Sequence, residues 1–169
     1  MNSLIDQNYS YLLDLFAKEL LLSCKIMSNE TFTTSKNTTD GMHFNKPGKV
    51  FIYPVVGNDI EKSKIVNGFV GLYFDSDTYN SLIPLIFNID KATKGFYEVG
   101  GELLNMCVGR AKDTLSEEGI TFKKNIPFSL DFDNLRLNQI NMAYSIEEIN
   151  ILHKELNFSI FQCFTEATD

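Results

Sequence analysis

Glu102 and Asn105 stand three positions apart in the segment EVGGELLNMCVGRAKDTL (98–115), and their types set what they could do. A carboxylate accepts hydrogen bonds and pairs with a cation; an amide accepts through its oxygen and donates through its nitrogen. Residues three apart share a helix face. At about 100° per residue, Glu98, Glu102, Asn105, Gly109 and Lys112 fall within a stripe about 80° wide. Leu103, Leu104, Met106, Cys107, Val108, Ala111 and Leu115 occupy much of the rest of the circumference. The spacing predicts a helix that is mostly buried and keeps one narrow polar line. Gly100 and Gly101 each cost about 1 kcal/mol relative to alanine inside a helix, so they ask for a reason, such as close packing against a sheet. Gly109 lies in the polar line and leaves a shallow place where another surface could approach Asn105. A solvated amphipathic helix shows the same pattern, and periodicity alone leaves both readings open.

Other chemistries find less support. Cys24, Cys107 and Cys163 are scattered and odd in number, and His43 and His153 lie far from them. Neither a disulfide framework nor a zinc pattern is visible, which favours a reducing, cytoplasmic compartment. Neither histidine accompanies a nucleophile motif such as Gly-x-Ser-x-Gly. With 22 acidic against 15 basic residues the formal charge is -7, which opposes attraction to nucleic acid or anionic lipid. The run LLLSC before Lys25 has the look of a lipoprotein cleavage site, but Asp14, Lys18 and Glu19 break the apolar stretch ahead of it, and a signal peptide is not expected. No run is long enough for a membrane helix.

The elements that must hold the polar helix can be sketched. A chain of 169 residues, 44% hydrophobic and with 14 Phe, suits one domain with a substantial core. Leu12, Leu13, Phe16, Leu20 and Leu21 recur at helical spacing and predict a first helix over about Gln7 to Cys24. From Ile26 to Gly48 the composition predicts a loop, with a short strand around Phe32. KVFIYPVV predicts a strand that Pro54 assigns to an edge or a bulge, and GNDIEKSK a turn. Val66, Val70, Leu72 and Phe74 alternate as in a strand, after which Asp75 or Ser76 can cap a helix over about Asp77 to Phe87 that Pro84 should kink or end early. Gly119 is a natural stop for the polar helix. ITFKKNIPFSLDF predicts a strand through Pro127. Ile140, Met142, Tyr144 and Ile146, then Leu156, Phe158, Ile160 and Phe164, predict a closing hairpin. The class is α+β, a largely antiparallel sheet with helices packed on it.

The polar helix has a resemblance. GELLNMCVGRAK resembles the signature helix of the CheC/CheX/FliY chemotaxis phosphatases, whose motif is Glu-x-x-Asn preceded by Asp or Ser four residues earlier. NGFVGLYFDSDTYNSLIPLIF is similar to that family's strand and following helix, and EEGITFKKNIPFSL to the stretch that places a proline some twenty residues after the Asn. The likeness covers about Lys49 to Phe164 and is nearest to CheX, because one Glu-x-x-Asn helix is present. Glu98 stands at the usual Asp or Ser position, Arg110 replaces a common Asn, and Pro84 and the polar 28–47 stretch have no place in the family pattern.

The resemblance implies a single CheX-like domain over 1–169 that hydrolyses the aspartyl phosphate of a CheY-type response-regulator receiver. It assigns Asn105 the task of orienting the attacking water, and Glu102 the task of docking to a lysine beside the receiver's phosphorylation site. Glu98, Gly109 and Lys112 would contact the partner. The receiver would supply Mg2+ and the cationic groups, so this chain would carry no catalytic metal of its own. The resemblance also implies a homodimer, since CheX-like members pair through their sheets and the closing hairpin offers apolar strands to continue across a two-fold axis. The rival readings are a silent receiver-binding or adaptor domain, and a structural domain that only dimerises.

Overall fold

The computed structural model describes residues 9–36, 46–60, 64–132 and 146–167. Among them the elements run α1 (Ser10–Ser28), β1 (Thr33–Lys36), β2 (Gly48–Asp59), β3 (Lys64–Asp75), α2 (Ser76–Phe87), a 3-10 turn (Phe96–Glu98), α3 (Val99–Glu117), β4 (Ile120–Phe122), β5 (Phe128–Phe132), β6 (Glu147–His153) and β7 (Leu156–Ala167). The strands form one antiparallel sheet in the order β1-β6-β7-β3-β2-β4, with β5 also paired to β2.

Period-2 alternation decides which face the helices cover. Phe51, Tyr53 and Val55 of β2, Val66, Val70, Leu72 and Phe74 of β3, and Phe158 and Ile160 of β7 join Leu12, Phe16, Leu20, Leu82, Ile83, Leu103, Leu104 and Val108 in one core. Phe74 and Phe158 stack at its centre, 4.5 Å between centroids. The interleaved Val50, Tyr73 and Phe161 face the other way and cluster with Ile52, Phe69 and Ile146.

Several expectations are met locally. Asp75 caps α2, its carboxylate accepting from the Thr78 amide at 2.8 Å. Gly119 follows α3 at φ 79°, its amide donating to Ser116 O. Other expectations are corrected. α1 runs on to Ser28, where Asn29 turns left-handed and donates to Lys25 O, so the loop starts later than composition suggests. The short strand begins at Thr33, one residue after Phe32. Pro84 does not end α2, which continues to Phe87; what it removes is the helical donor to the Asn80 carbonyl one turn back.

β2 is an interior strand, but Pro54 stands at a local edge of it. It pairs with Phe69 of β3 on one side, while on the other β5 pairs with residues 48–52 and β4 with 57–59, leaving a gap opposite it. The Pro54 carbonyl faces that gap, accepting from Asn125 Nδ2 at 2.8 Å. In a strand the N–H and C=O of one residue point the same way, so the missing donor falls where no strand needs it. The same gap breaks the expected strand through Pro127 into β4 and β5, with 123–127 irregular. The closing hairpin is also shifted: β6 is Glu147–His153, whereas the expected partner strand from Ile140 to Tyr144 lies outside the described residues. β7 pairs with β3 over Ser159–Ala167 and with β6 over Leu156–Gln162, so Phe158 and Phe161 lie buried inside the sheet rather than on an open edge. His43 lies outside the described residues.

The core also sets a pH limit. Cys24 and Cys107 are buried where α1 meets α3, Cys107 Sγ donating to Phe16 O at 3.1 Å. Burial pushes the Cys24 thiol from its ordinary 9.0 to about 12. Cys107 is raised as well, first by burial and then by the nearby charge of Cys24 and Glu19. Neither supplies a thiolate near neutrality. The unfolded chain releases these protons near pH 9, whereas the folded chain holds them, so the folded state binds more protons between about 9 and 12. Stability is therefore fully present below about pH 9 and falls as pH rises through that window. Urea midpoints should hold level from pH 7 to 8.5 and drop by pH 10; a level midpoint at pH 10 would contradict this account.

Candidate functional site

The head of α3 is built from buried aromatics. Glu98 occupies the N-cap position but makes no side-chain cap. The hydroxyl of Tyr79, from α2, meets the need instead: it accepts from the Gly100 amide at 3.2 Å and donates to Phe96 O at 2.8 Å. Burial pushes this phenol up to about 12, which keeps it a donor at neutral pH. The Tyr79 ring stacks on Phe51, 5.8 Å between centroids, and Phe51 lies directly under Gly100. A Cβ at Gly100 would stand 2.3 Å from Phe51 Cε2. Close approach to the sheet is thus the reason for this glycine.

From that start the helix buries the face the spacing predicts, while its exposed face is wider than the expected line and takes in Arg110, Asp113, Ser116 and Glu117. Gly100, Leu103, Leu104, Cys107, Val108, Ala111 and Leu115 are buried, and Glu102, Asn105 and Gly109 are exposed. Nothing lies within 4 Å of a Cβ built on Gly109, so the surface beside Asn105 is open. Glu98, one turn before Glu102, is exposed in the 3-10 turn rather than in the helix proper. Lys112 lies in the same line but is engaged within the chain: its Nζ donates to Tyr53 OH at 3.0 Å and to Lys123 O at 2.9 Å. Arg110, off the line, pairs with Glu19 at 3.0 Å and ties α3 to α1.

The opposite wall is one that sequence reasoning missed. After β4 the chain crosses the gap beside Pro54 and is fixed by its backbone and by two side chains. Lys123 N donates to Val56 O at 2.8 Å, Asn125 N to Tyr53 OH at 2.9 Å, and Asn125 Nδ2 to Pro54 O. Pro127 then packs toward Gly101, its Cγ 3.6 Å from where a Cβ would stand. The signal was the KKNIP composition, which marks a break as readily as a strand. Between the two walls lies a cleft of about 500 Å³, with Glu98, Glu102 and Asn105 on one side, residues 124–129 on the other and Phe51 at its base.

Chemically the cleft offers two carboxylates and an amide on the α3 wall, with Lys124 and Ser129 on the other. Among the described residues no three His, Cys, Asp or Glu side chains gather as a metal site. His153 is buried far along the sheet, its Nδ1 3.0 Å from Thr31 O and its ring 4.6 Å from that of Phe32. The cleft therefore suits recognition of a cationic, hydrogen-bonding surface, and the placement of a water, rather than attack by a nucleophile of its own.

No family model matches the sequence, and no curated protein sequence does. Solved structures do. The chemotaxis protein CheX of Vibrio vulnificus aligns over 92% of this chain and 100% of its own at a TM-score of 0.69 and 18% identity. The fold is that of CheX and the CheC-like proteins. A chemotactic CheC-like protein of Shewanella oneidensis aligns over 94% of this chain and 99% of its own, with a TM-score of 0.69 and 17% identity. CheX in the CheX–CheY–BeF3–Mg2+ complex of Borrelia burgdorferi aligns over 90% and 96%, with a TM-score of 0.64 and 15% identity. The CheX-like architecture accounts for the α+β class, the antiparallel sheet and the three helices. Among the described residues no helix is long and apolar enough to cross a membrane.

Proposed function

We propose that this chain is a phosphatase for the aspartyl phosphate of a CheY-type receiver domain. The observation that carries the reading is the pairing of exposed Glu102 and Asn105, one turn apart on the solvent face of α3 and at the wall of one cleft, in a fold it shares with the CheX of a CheX–CheY complex. Phosphoryl transfer asks mainly for in-line positioning and charge stabilisation. The receiver brings Mg2+ and its own cationic groups to the phosphoaspartate, so this chain has only a water to place. Asn105 inserts beside the phosphoryl group, its carbonyl oxygen accepting from that water and aligning it for attack at phosphorus. The P–O bond to the aspartate breaks as the water oxygen bonds to phosphorus, and aspartate and inorganic phosphate are released. Glu102 pairs with a lysine at the receiver's site and fixes register. Glu98 and Gly109 border the contact, and Lys112 contributes by holding the far wall.

The test is decay of a phosphorylated CheY-type receiver with substoichiometric amounts of this chain. Turnover of many equivalents is expected; stabilisation of the phosphoreceiver at stoichiometric ratio without turnover would leave a silent binding or adaptor domain. Glu102→Ala should weaken receiver binding about tenfold, between the near-zero worth of an exposed pair and the larger loss when a partner is left buried. Its effect should lie in KM more than in kcat and shrink at high salt. Titration of the variant with the receiver, and wild-type affinity in that titration, would remove Glu102 from the docking role.

A further inference from the structure

We propose that Ile126 is a preorganised apolar anchor which the receiver covers when it seats on Asn105. This inference rests on the function proposed above. Ile126 is 83% exposed, the highest value among the large hydrophobic side chains of the described residues. Single exposed apolar side chains are common and need no explanation. This one differs in where it stands and how it is held.

It projects from the far wall of the cleft, between Asn125 and Pro127. Asn125 is fixed to Tyr53 and Pro54 by two hydrogen bonds, the preceding Lys123 to Val56 and Lys112 by two more, and Pro127 rests toward Gly101. A loop held this firmly loses little freedom on binding, so an apolar group at its tip keeps most of its transfer free energy for the partner. Phe128, 46% exposed, continues the same wall. The polar pair is thus bordered by apolar side chains, the arrangement in which surrounding contacts exclude water from a central charged contact.

The occupant follows from size and continuity. A stable protein interface covers roughly 800 Å² on each partner, far more than the mouth of this cleft. A receiver that reaches Asn105 with its phosphorylation site therefore lies over the opposite wall and covers Ile126. The chemistry required of it is a cation opposite Glu102 and an apolar patch beside it.

The experiment uses a CheY-type receiver loaded with beryllofluoride and Mg2+ for affinity, and its phosphorylated form for turnover. Ile126→Ser should weaken binding by ten- to thirtyfold and raise KM in proportion, while kcat at saturating receiver stays within twofold and the thermal midpoint does not fall. Ile126→Leu should restore the affinity. Ile60→Ser, at another exposed isoleucine beyond the opposite end of α3, should leave binding as it is. If Ile126→Ser binds as the wild type does, or loses kcat alone, the anchor is wrong while Asn105 and Glu102 keep their roles. If the wild-type chain binds no loaded receiver, the proposed function falls and the anchor with it.

Discussion

Replacing Asn105 by alanine should lower receiver dephosphorylation by on the order of a hundredfold and leave the fold intact. One power of ten in rate is about 1.4 kcal/mol, so the expected loss is roughly 2.7 kcal/mol of transition-state stabilisation, within what in-line placement of a reactant supplies. The fold should not suffer, because Asn105 is exposed on α3 and alanine is the better helix former. Binding of the loaded receiver should persist, since Glu102 and the apolar border remain. The receiver's slow self-hydrolysis sets the floor. Asn105→Asp separates shape from charge: it keeps an oxygen acceptor but sets a negative charge next to the phosphoryl group, so affinity should fall along with rate. Wild-type decay in the presence of Asn105→Ala would refute the mechanism and return the polar line to a solvated face.

The second large effect is structural and contrasts two adjacent glycines. Gly100→Ala should destabilise the protein by about 1 to 3 kcal/mol, the usual cost of overpacking a filled core. The added Cβ would meet the Phe51 ring at 2.3 Å, and that ring cannot swing aside, being stacked on Tyr79 and edge-on to Phe74. Gly101→Ala should be neutral or stabilising by up to about 1 kcal/mol, because its Cβ would meet only ordinary contacts at 3.6 Å or more. Equilibrium unfolding of the two variants decides the matter. Equal stabilities would mean that α3 does not rest on Phe51. The displacement in Gly100→Ala should also move Glu98 and Glu102, so its receiver affinity should fall, whereas that of Gly101→Ala should not.

How much of this was legible follows from the range over which each signal acts. The polar line of α3 was readable because helical period is local: Glu102 and Asn105 share a face whatever surrounds them, and burial of Leu104, Cys107 and Val108 completed the picture. The Asp75 cap and the Gly119 stop were readable for the same reason. The need for Gly100 was visible only as a question, and its answer, Phe51, stands far away in the chain. The far wall was not readable. Its path depends on a gap in pairing beside Pro54, some 70 residues before Asn125, and nothing within KKNIP states that a hydrogen-bond partner waits there. β6, EEINILH, was not singled out because its alternation is no clearer than that of its surroundings, and its pairing with β7 is read only from the fold.

The gap beside Pro54 bears on how such a domain diversifies. Where a strand joins a sheet by its ladder, a change of length or register reverses every side chain that follows. The 123–127 wall is instead fastened through Tyr53, Lys112, Asn125 and a few backbone contacts, with no ladder of its own. Exchanges at 124 and 126, on either side of the fastened Asn125, therefore leave β2, β4 and β5 in step. Mutation can remodel the rim opposite Asn105 while α3 stays fixed, so under the proposed function partner choice in this chain is free to drift independently of its chemistry.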